Sequence, residues 1–327
     1  MTTRRLGSNG PEISRIGLGT WAIGGSGWQY AWGAQDDEDS IAVIHEAIDI
    51  GITWIDTAAV YGLGHSEEVV GRAVKGKRSR VLLATKCGRK PGRDGDIVSA
   101  LDAASVREEL EASLRRLGTD HIDLYQIHWP RPEPQIEEAW AEIARAVTEG
   151  KVRFAGVSNF DPAQMKRLLA IHPITSLQPP YSMLRRDIEA EILPFCADNG
   201  IGVICYSPLQ MGLLSGAFSR ERAASLPGND LRSRNEYFAE PALSLNLALV
   251  ERLRPVAERS RRTVGELALA WVLSRPGVTG VIVGGRRPGQ ARSLAGAADW
   301  VLSPRDLAEI GQALAEREAA GSREGSS

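Results

Sequence analysis

Three short runs decide the fold of this chain: ITWID at residues 52–56, VLLATK at 81–86 and IDLYQIH at 122–128. Each run is apolar and rich in β-branched residues and ends in polar ones, which is typical of buried strands. Helical patterns at 66–74 and 105–117 separate the three runs. Strands that alternate with helices in this way predict a parallel sheet with right-handed crossovers.

The same unit repeats along the rest of the chain. We count eight strands, at residues 16–19, 52–56, 81–86, 122–128, 152–157, 174–178, 201–206 and 280–283. Helical patterns occur at 37–51, 66–74, 105–117, 135–149, 161–170, 187–199, 247–260 and 263–274. Eight alternating units predict an α/β fold, a closed (β/α)₈ TIM barrel. Because no linker rich in Pro, Gly or Ser divides the chain, we expect one domain over residues 1–318.

Three segments stand outside the alternation. Residues 4–13, with Asn9-Gly10 at their centre, are expected to form a β-hairpin that caps the N-terminal mouth of the barrel. Residues 207–246 form a long loop after strand 7, and such loops are usually functional lids or disordered. Residues 319–327 are rich in Ala, Gly and Ser, so we expect a disordered tail there.

The composition excludes several classes of function. The 327 residues contain 39 Lys and Arg against 41 Asp and Glu, which argues against binding to nucleic acid or to a membrane surface through charge. Three cysteines without CxxC spacing encode neither a disulfide framework nor a zinc knuckle. Because the sequence shows no signal peptide and no apolar run of about 20 residues, we expect a cytoplasmic protein.

Polar residues end three of the predicted strands. Asp56, Lys86 and His128 each close a strand, and Tyr61 follows shortly after Asp56. Because the strand ends of a parallel barrel meet on one rim, we expect these side chains to share a pocket. A lysine paired with a carboxylate should lower the pKa of a neighbouring phenol, and a neutral histidine can orient a carbonyl. These groups can protonate a reduced C=O but supply no hydride, so a redox cofactor is required.

The strand ends lie in motifs that point to a family. The runs DTAAVYG at 56–62, TK at 85–86, QIHWP at 126–130 and GVSNF at 156–160 resemble, in order and spacing, the aldo-keto reductase superfamily. The resemblance extends from about Leu6 to about Trp300. Two further runs, GAQDD at 33–37 and HSEE at 65–68, resemble the prokaryotic branch that contains general stress and inositol-operon reductases.

The resemblance implies NADPH-dependent reduction of aldehydes and ketones, without a metal. Carried over by position, Tyr61 is the general acid, Lys86 and Asp56 tune it, and His128 orients the carbonyl. The implied NADP(H) site comprises Gly19, Thr20, Trp21, Asp56, Ser158, Asn159, Gln178, Tyr206, Ser207, Pro208, Leu209, Gly212, Leu214, Gly216, Gly284, Arg286 and Gln290.

Parts of this set have implied roles. Three residues match positions that hold the nicotinamide carboxamide: Ser158, Asn159 and Gln178. Tyr206 matches the aromatic residue that stacks on the nicotinamide, and residues 207–216 match the loop on the pyrophosphate. Arg286 matches the binding site of the adenosine 2′-phosphate, and a guanidinium suits a phosphate by its geometry. One departure is Leu294, where the family commonly has an Asn that contacts adenine.

Aromatic residues crowd the loops of the predicted catalytic rim. The expected substrate site comprises Trp21, Trp28, Trp32, Tyr61, His128 and Trp129. Because ligand pockets are mostly apolar, this wall favours aromatic or medium-chain carbonyl compounds over phosphorylated or highly charged ones. The expected partner is therefore a small-molecule carbonyl compound.

Four other interpretations account for part of the sequence. A nicotinamide-binding redox sensor or regulatory subunit would keep the same residues but turn over little. A barrel aldolase would use Lys86 alone, and a metal-dependent hydrolase needs more His and Asp ligands at strand ends than His128 and Asp56. The run at 17–22 matches a dinucleotide-binding fingerprint, but that motif must open a helix, and the glycines that follow do not favour one.

Overall fold

The computed structural model describes residues 1–92, 96–228 and 230–324. Eight parallel strands form a closed barrel, at Ile16–Gly19, Trp54–Asp56, Leu82–Cys87, Ile122–Ile127, Val152–Ser158, Ser176–Gln178, Gly202–Cys205 and Val278–Gly284. Each strand pairs with the next along the chain, and the eighth pairs with the first, with Val283 opposite Leu18. The predicted TIM barrel is confirmed.

Helices surround the barrel. The α-helices are α1 Asp37–Asp49, α2 His65–Val74, α3 Ala103–Leu117, α4 Ile136–Thr148, α5 Pro162–Leu169, α6 Ile192–Asp198, α7 Arg220–Ala224, α8 Ala242–Arg259, α9 Val264–Ser274, α10 Gln290–Ala295 and α11 Pro304–Glu324. Apolar side chains of helices and strands share one buried layer. Helix α3 begins two residues before the predicted start because the Asp102 side chain accepts a hydrogen bond from the Ser105 amide and caps it.

The N-terminal end of the barrel is closed by the expected hairpin, whose strands are Thr3–Arg5 and Glu12–Ser14. Its apolar residues join an internal cluster, which we call the barrel floor: Leu6, Ile13, Trp54, Ala84, Leu124, Ile204 and Ile282. Gly17 is required here, because a Cβ atom at this position would lie 2.2 Å from the Trp54 ring. The floor is therefore apolar and tightly packed.

The long loop after the seventh strand has local structure of its own. It contains α7 and the 3₁₀ turns Leu213–Ser215, Leu231–Arg234 and Glu236–Phe238. A small apolar cluster of Leu213, Phe218, Phe238 and Leu243 is buried beneath it. From the sequence alone, this connection could be an ordered lid or a disordered loop. The buried side chains stabilise an ordered conformation.

Two elements differ from the sequence expectation. A second hairpin pairs Lys90–Pro91 with Ile97–Val98, although no strand is predicted there. Helix α11 continues to Glu324, past the start of the expected disordered tail at 319; residues 325–327 lie outside the described part of the chain. The helix packs on α8, where the Arg317 guanidinium donates to the buried Asn246 side chain at 2.9 Å. None of the helices in the described ranges is long and apolar enough to cross a membrane.

Candidate active site at the barrel mouth

Lys86 lies at the centre of a buried polar cluster at the C-terminal ends of the strands. Its Nζ donates to Asp56 Oδ2 at 2.7 Å, to the Thr57 carbonyl oxygen at 2.9 Å and to the Tyr61 hydroxyl oxygen at 3.5 Å. An ammonium group has three donors and no acceptor. All three Lys86 donors thus have partners, and the Tyr61 hydroxyl must direct its own proton away from Lys86.

The pKa of Tyr61 differs from the sequence expectation. Burial first, and then the charge of Asp56, raises the pKa of the phenol well above its usual range. Burial also lowers the pKa of Lys86, an effect that Asp56 opposes. Because a carboxylate 2.7 Å away neutralises the Lys86 ammonium, that charge does not offset the desolvation of the phenol. The expected lowering is therefore wrong in this structure, and Tyr61 is a fully protonated donor.

Two buried glutamines complete the surroundings of Asp56. Gln178 Nε2 donates to Asp56 Oδ1 at 2.8 Å, and Gln126 Nε2 lies 3.5 Å from the same oxygen. Gln178 is in the predicted cofactor set, but here its amide group binds Asp56. Gln126 is absent from the predicted site. Its position two residues before His128, on the same face of the strand, was the signal that could have found it.

Gly19 and Thr20 support the backbone beneath this cluster. The Thr20 hydroxyl donates to the Asp56 carbonyl oxygen at 3.1 Å and accepts from Ser66 Oγ at 2.8 Å. A Cβ atom at Gly19 would lie 2.5 Å from Ile282 Cγ2, so this strand end has no room for a side chain. Both residues connect the first two strands at the level of Asp56.

The rings of His128 and of two tryptophans surround Tyr61. The His128 ring lies edge-on to it with centroids 5.8 Å apart, Trp21 stacks at 6.3 Å and Trp28 lies at 6.1 Å. Burial, helped by the positive charges of Lys86 and Arg89, holds the pKa of His128 well below its usual range, so its imidazole is neutral. A neutral imidazole beside a protonated phenol can present two hydrogen-bond donors to one carbonyl oxygen.

The other predicted wall residues lie farther out. Trp32 contacts Trp21, with ring centroids 5.8 Å apart. Trp129 packs against Arg131, whose Cζ is 5.9 Å from the centroid of its ring. No contact between the rings of Trp129 and Tyr61 occurs in the described ranges.

A second hydrogen-bond network joins the ends of the fifth, sixth and seventh strands. Ser158 Oγ donates to the Gln178 carbonyl oxygen at 2.8 Å, and Asn159 Nδ2 donates to Ser158 Oγ at 3.0 Å. The Tyr206 hydroxyl donates to Asn159 Oδ1 at 2.9 Å. Asn159 has φ +63°, an uncommon value for a residue with a side chain. The network thus brings together four residues of the predicted cofactor set.

The backbone after Tyr206 is strained. Ser207, Gln210 and Met211 have φ values of +53°, +47° and +52°, and Gly212 has +93°. Such conformations cost energy and cluster where a backbone is shaped for a ligand. Leu214, also in the predicted set, is fully buried in the core. Gly216, also in the predicted set, has φ +81°.

Arg286 connects the segment after the eighth strand to the loop after the first. Its guanidinium donates to Gln35 Oε1 at 2.8 Å, to the Trp32 carbonyl oxygen at 3.0 Å and to the Ala34 carbonyl oxygen. Gln290 Oε1 accepts from the Arg286 amide at 2.7 Å, while Gly284 lies just before this segment with open space at its Cα. Gln35 was not predicted as a site residue.

Two further arginines lie near Arg286. Burial first, and then the charges of Arg232 and Arg287, lower the pKa of Arg286. Arg232 pairs with Asp230 at 2.6 Å and stacks on the Trp32 ring at 5.1 Å. The three arginines therefore form a positive cluster that the Asp230 carboxylate neutralises only in part.

Known proteins resemble this chain over nearly its whole length. The family model of the aldo/keto reductase family matches residues 15–315. Aldo-keto reductase YhdN of Bacillus subtilis is 41% identical over 94% of this chain and 92% of its own length. The NADH-specific methylglyoxal reductase of Escherichia coli is 37% identical over 94% of this chain and 98% of its own.

Solved structures agree with the sequence comparisons. The glycerol dehydrogenase of Gluconobacter oxydans superposes with a TM-score of 0.87 and 37% identity, covering 96% of this chain and 95% of that one. The holo form of an aldo-keto reductase from Bacillus halodurans gives a TM-score of 0.78 at 28% identity, over 96% of each chain. With Asp56 and Lys86 buried, and Tyr61 and His128 half-buried beside them at the mouth of its barrel, this chain belongs to the aldo/keto reductase family.

Proposed function

We propose that this protein reduces aldehydes or ketones to alcohols with NADPH, and that Tyr61 donates the proton. The observation that carries the proposal is the pairing of a protonated Tyr61 phenol with the fully engaged Lys86 ammonium 3.5 Å from its oxygen. A phenol in this position can release its proton only towards the barrel mouth, where the neutral His128 ring also lies. The two ring centroids are 5.8 Å apart, close enough for both groups to contact one carbonyl oxygen.

The residues at the mouth suit a nicotinamide dinucleotide. The Ser158 hydroxyl and the Asn159 amide lie together in one hydrogen-bond network and match a carboxamide, and Tyr206 offers an aromatic face beside them. The Gln178 side chain lies next to this network, with its Nε2 held by Asp56. The strained backbone at 207–212 suits the close approach of a pyrophosphate. What such a cofactor supplies when bound is the hydride for the carbonyl carbon.

The protein's own groups then handle the carbonyl oxygen. His128 orients it through a ring N–H, and Tyr61 gives it a proton as negative charge develops. The phenolate left on Tyr61 is stabilised by the Lys86 ammonium, whose charge was balanced by Asp56 before the proton moved. The aromatic rings of Trp21 and Trp28 exclude water from this volume.

The choice of NADPH over NADH rests on the arginines around Arg286. A dianionic phosphate on the adenosine ribose would meet Arg286, Arg287 and Arg232, and guanidinium groups bind phosphate in a bidentate way. The E. coli relative is described as NADH-specific, so this preference must be measured for this chain. Leu294 offers adenine no polar group, and it packs partly buried against the core.

The test is reduction of para-nitrobenzaldehyde, followed by the loss of reduced-nicotinamide absorbance, in the wild type and Tyr61→Phe. We expect wild-type turnover and a fall in kcat of roughly 10²–10⁴-fold in the variant, because a positioned general acid contributes that much. Cofactor affinity, measured by quenching of tryptophan fluorescence, should change little, since only a hydroxyl is removed.

Near wild-type turnover by Tyr61→Phe would refute its role as the acid. Tight binding of NADPH without turnover of a broad carbonyl panel would refute the reductase and favour the redox-sensor alternative.

A further inference from the structure

Arg89 lies beside Tyr30, next to the aromatic rings around Tyr61. It lies just beyond Lys86 at the end of the third strand, and its Nη2 donates to the Tyr30 hydroxyl oxygen at 3.4 Å. Its Cζ is 5.9 Å from the centroid of the Tyr30 ring. Tyr30 in turn lies edge-on to Trp28 at 6.0 Å, and Trp28 contacts Tyr61. The guanidinium is thus one side chain beyond the rings that line the reacting centre.

Contacts with α3 and with Leu101 fix the backbone next to Arg89. The buried Glu109 carboxylate on α3 accepts a hydrogen bond from the Gly88 amide at 3.0 Å. Gly88 has φ +88°, which favours glycine. A Cβ atom there would also lie 2.6 Å from the Leu101 side chain. The direction in which Arg89 leaves the strand is therefore set by the packing of the third strand and α3.

The charge of Arg89 has no carboxylate partner among residues 1–92, 96–228 and 230–324, where no ion pair includes it. Most arginines of the described chain pair with Asp or Glu. Arg89 lacks such a pair there although its side chain is half-buried. The charge does reach the catalytic centre, because Arg89 is one of the two cations that lower the pKa of His128. A half-buried, unpaired guanidinium at a substrate wall is a ready partner for an anion.

We propose that Arg89 binds an anionic oxygen group of the substrate, so that the enzyme prefers carbonyl compounds that carry a carboxylate or phosphate at their far end. The proposal rests on the proposed function, since it names the substrate class of the same site. It departs from the expectation that an aromatic wall disfavours charged substrates. The rings of Trp28 and Tyr30 would cover the body of the substrate, while the Arg89 guanidinium would pair with its charged end.

The experiment compares para-carboxybenzaldehyde with its neutral methyl ester. We expect the wild type to prefer the carboxylate by about tenfold or more in kcat/KM, since a charge-assisted hydrogen bond contributes roughly 1.5–3 kcal/mol. Arg89→Gln should raise KM for the carboxylate about 10–100-fold, change kcat little, and leave both constants for the ester within about twofold. Glyceraldehyde phosphate against glyceraldehyde distinguishes a phosphate from a carboxylate as the preferred anion.

Arg131→Gln is the matched control. Arg131 is an exposed cation beside Trp129 near the same mouth, and it has no ion pair in the described ranges. We expect it to leave the preference for the carboxylate unchanged, because the proposal requires a specific contact and not a general positive field. Equal effects of the two substitutions would overturn the proposal.

The outcomes separate this proposal from the proposed function. Turnover of the ester without a preference for the carboxylate in the wild type would overturn the role of Arg89 alone, whether or not the variants fold. Failure to turn over any carbonyl compound would overturn the proposed function as well. Arg89→Lys, which keeps the charge but loses the fork and the stacking on Tyr30, should retain part of the preference.

Discussion

The two ends of one barrel are built on opposite principles. At the floor, the hairpin residues Leu6 and Ile13 pack against Trp54 and Ile204, and the side chains are apolar and buried. At the mouth, the same strands end in buried polar residues, an ion pair and two glutamines, joined by loops with strained backbone. Buried charge and positive φ both cost stability, so the mouth is maintained at the expense of the rest of the fold.

This contrast shows why strand direction matters. All eight strands run in parallel, so every C-terminal end reaches the mouth and every N-terminal end reaches the floor. Loops at one end can therefore specialise in chemistry while the other end supplies packing. Substitutions at the floor should change stability without changing the reaction, and substitutions at the mouth should do the reverse.

The floor supplies the largest expected change in stability. Ile13→Ala removes a side chain that is only 2% exposed, and we expect it to lower the free energy of unfolding by roughly 2–5 kcal/mol, because a cavity remains. Well below the melting temperature, kcat should be unchanged. Denaturant unfolding and steady-state kinetics measure the two effects.

Val301→Ala is the control for this substitution. Val301 is 86% exposed, and its truncation should change the free energy of unfolding by less than about 0.5 kcal/mol. A loss of kcat in Ile13→Ala without a loss of stability would break the division between floor and mouth.

Behind the mouth, Glu109 should make stability depend on pH. Burial raises the pKa of its carboxyl to about 7, against 4.5 for the ordinary group. Between these values the folded state binds more protons than the unfolded state, so stability falls as pH rises, by about 3 kcal/mol in all. Glu109→Gln should remove this dependence while keeping an acceptor for the Gly88 amide.

The measurement is denaturant unfolding at a series of pH values for wild type and Glu109→Gln. The variant should gain stability relative to the wild type as pH rises from about 5 to about 8. Glu38→Gln alters an exposed carboxylate, 83% accessible, and should show no comparable trend. A difference that is constant with pH would show that the Glu109 carboxyl does not titrate in this range.

The smallest expected effect concerns cofactor choice at the edge of the mouth. Arg286→Ala should lower the affinity for NADPH by roughly 10–100-fold and the affinity for NADH by much less, because only NADPH carries the 2′-phosphate. Fluorescence titration with each cofactor measures this. Gln35→Leu removes the side-chain contact between Arg286 and the loop after the first strand. It should lower the affinity for both cofactors by the same factor.

Equal losses of affinity for NADPH and NADH in Arg286→Ala would show that Arg286 mainly supports that loop. The proposed preference for NADPH would then have to rest on the other two arginines of the cluster.

Much of the fold follows from local patterns. Runs such as 81–86 and 122–128 alternate with amphipathic helices, and their order leaves few topologies for a parallel sheet. The boundaries were less predictable: α3 starts at Ala103 because of the Asp102 cap, and α11 extends to Glu324 because it packs on α8. The hairpin near residue 90 was missed because its strands are two residues long and carry no pattern.

The catalytic residues were predictable because they end strands inside motifs, as Asp56 and Lys86 do. Gln126 could have been found from its place two residues before His128, whereas no pattern around Gln35 indicates that it will contact Arg286. Arg89 was missed for a different reason. Its proposed role depends on its contact with the Tyr30 ring, and Tyr30 is distant from Arg89 in the sequence.

The barrel, the direction of its strands and the residues at the strand ends could all be predicted from the amino-acid pattern, because periodicity and strand order are properties of the chain. The pKa of Tyr61 depends instead on the three-dimensional packing around it. The pKa of Tyr61 is raised and not lowered, because burial and the neutralising contact between Lys86 and Asp56 outweigh the charge of a lone lysine. Desolvation depends on every neighbour in space, and no spacing of residues along the chain encodes it.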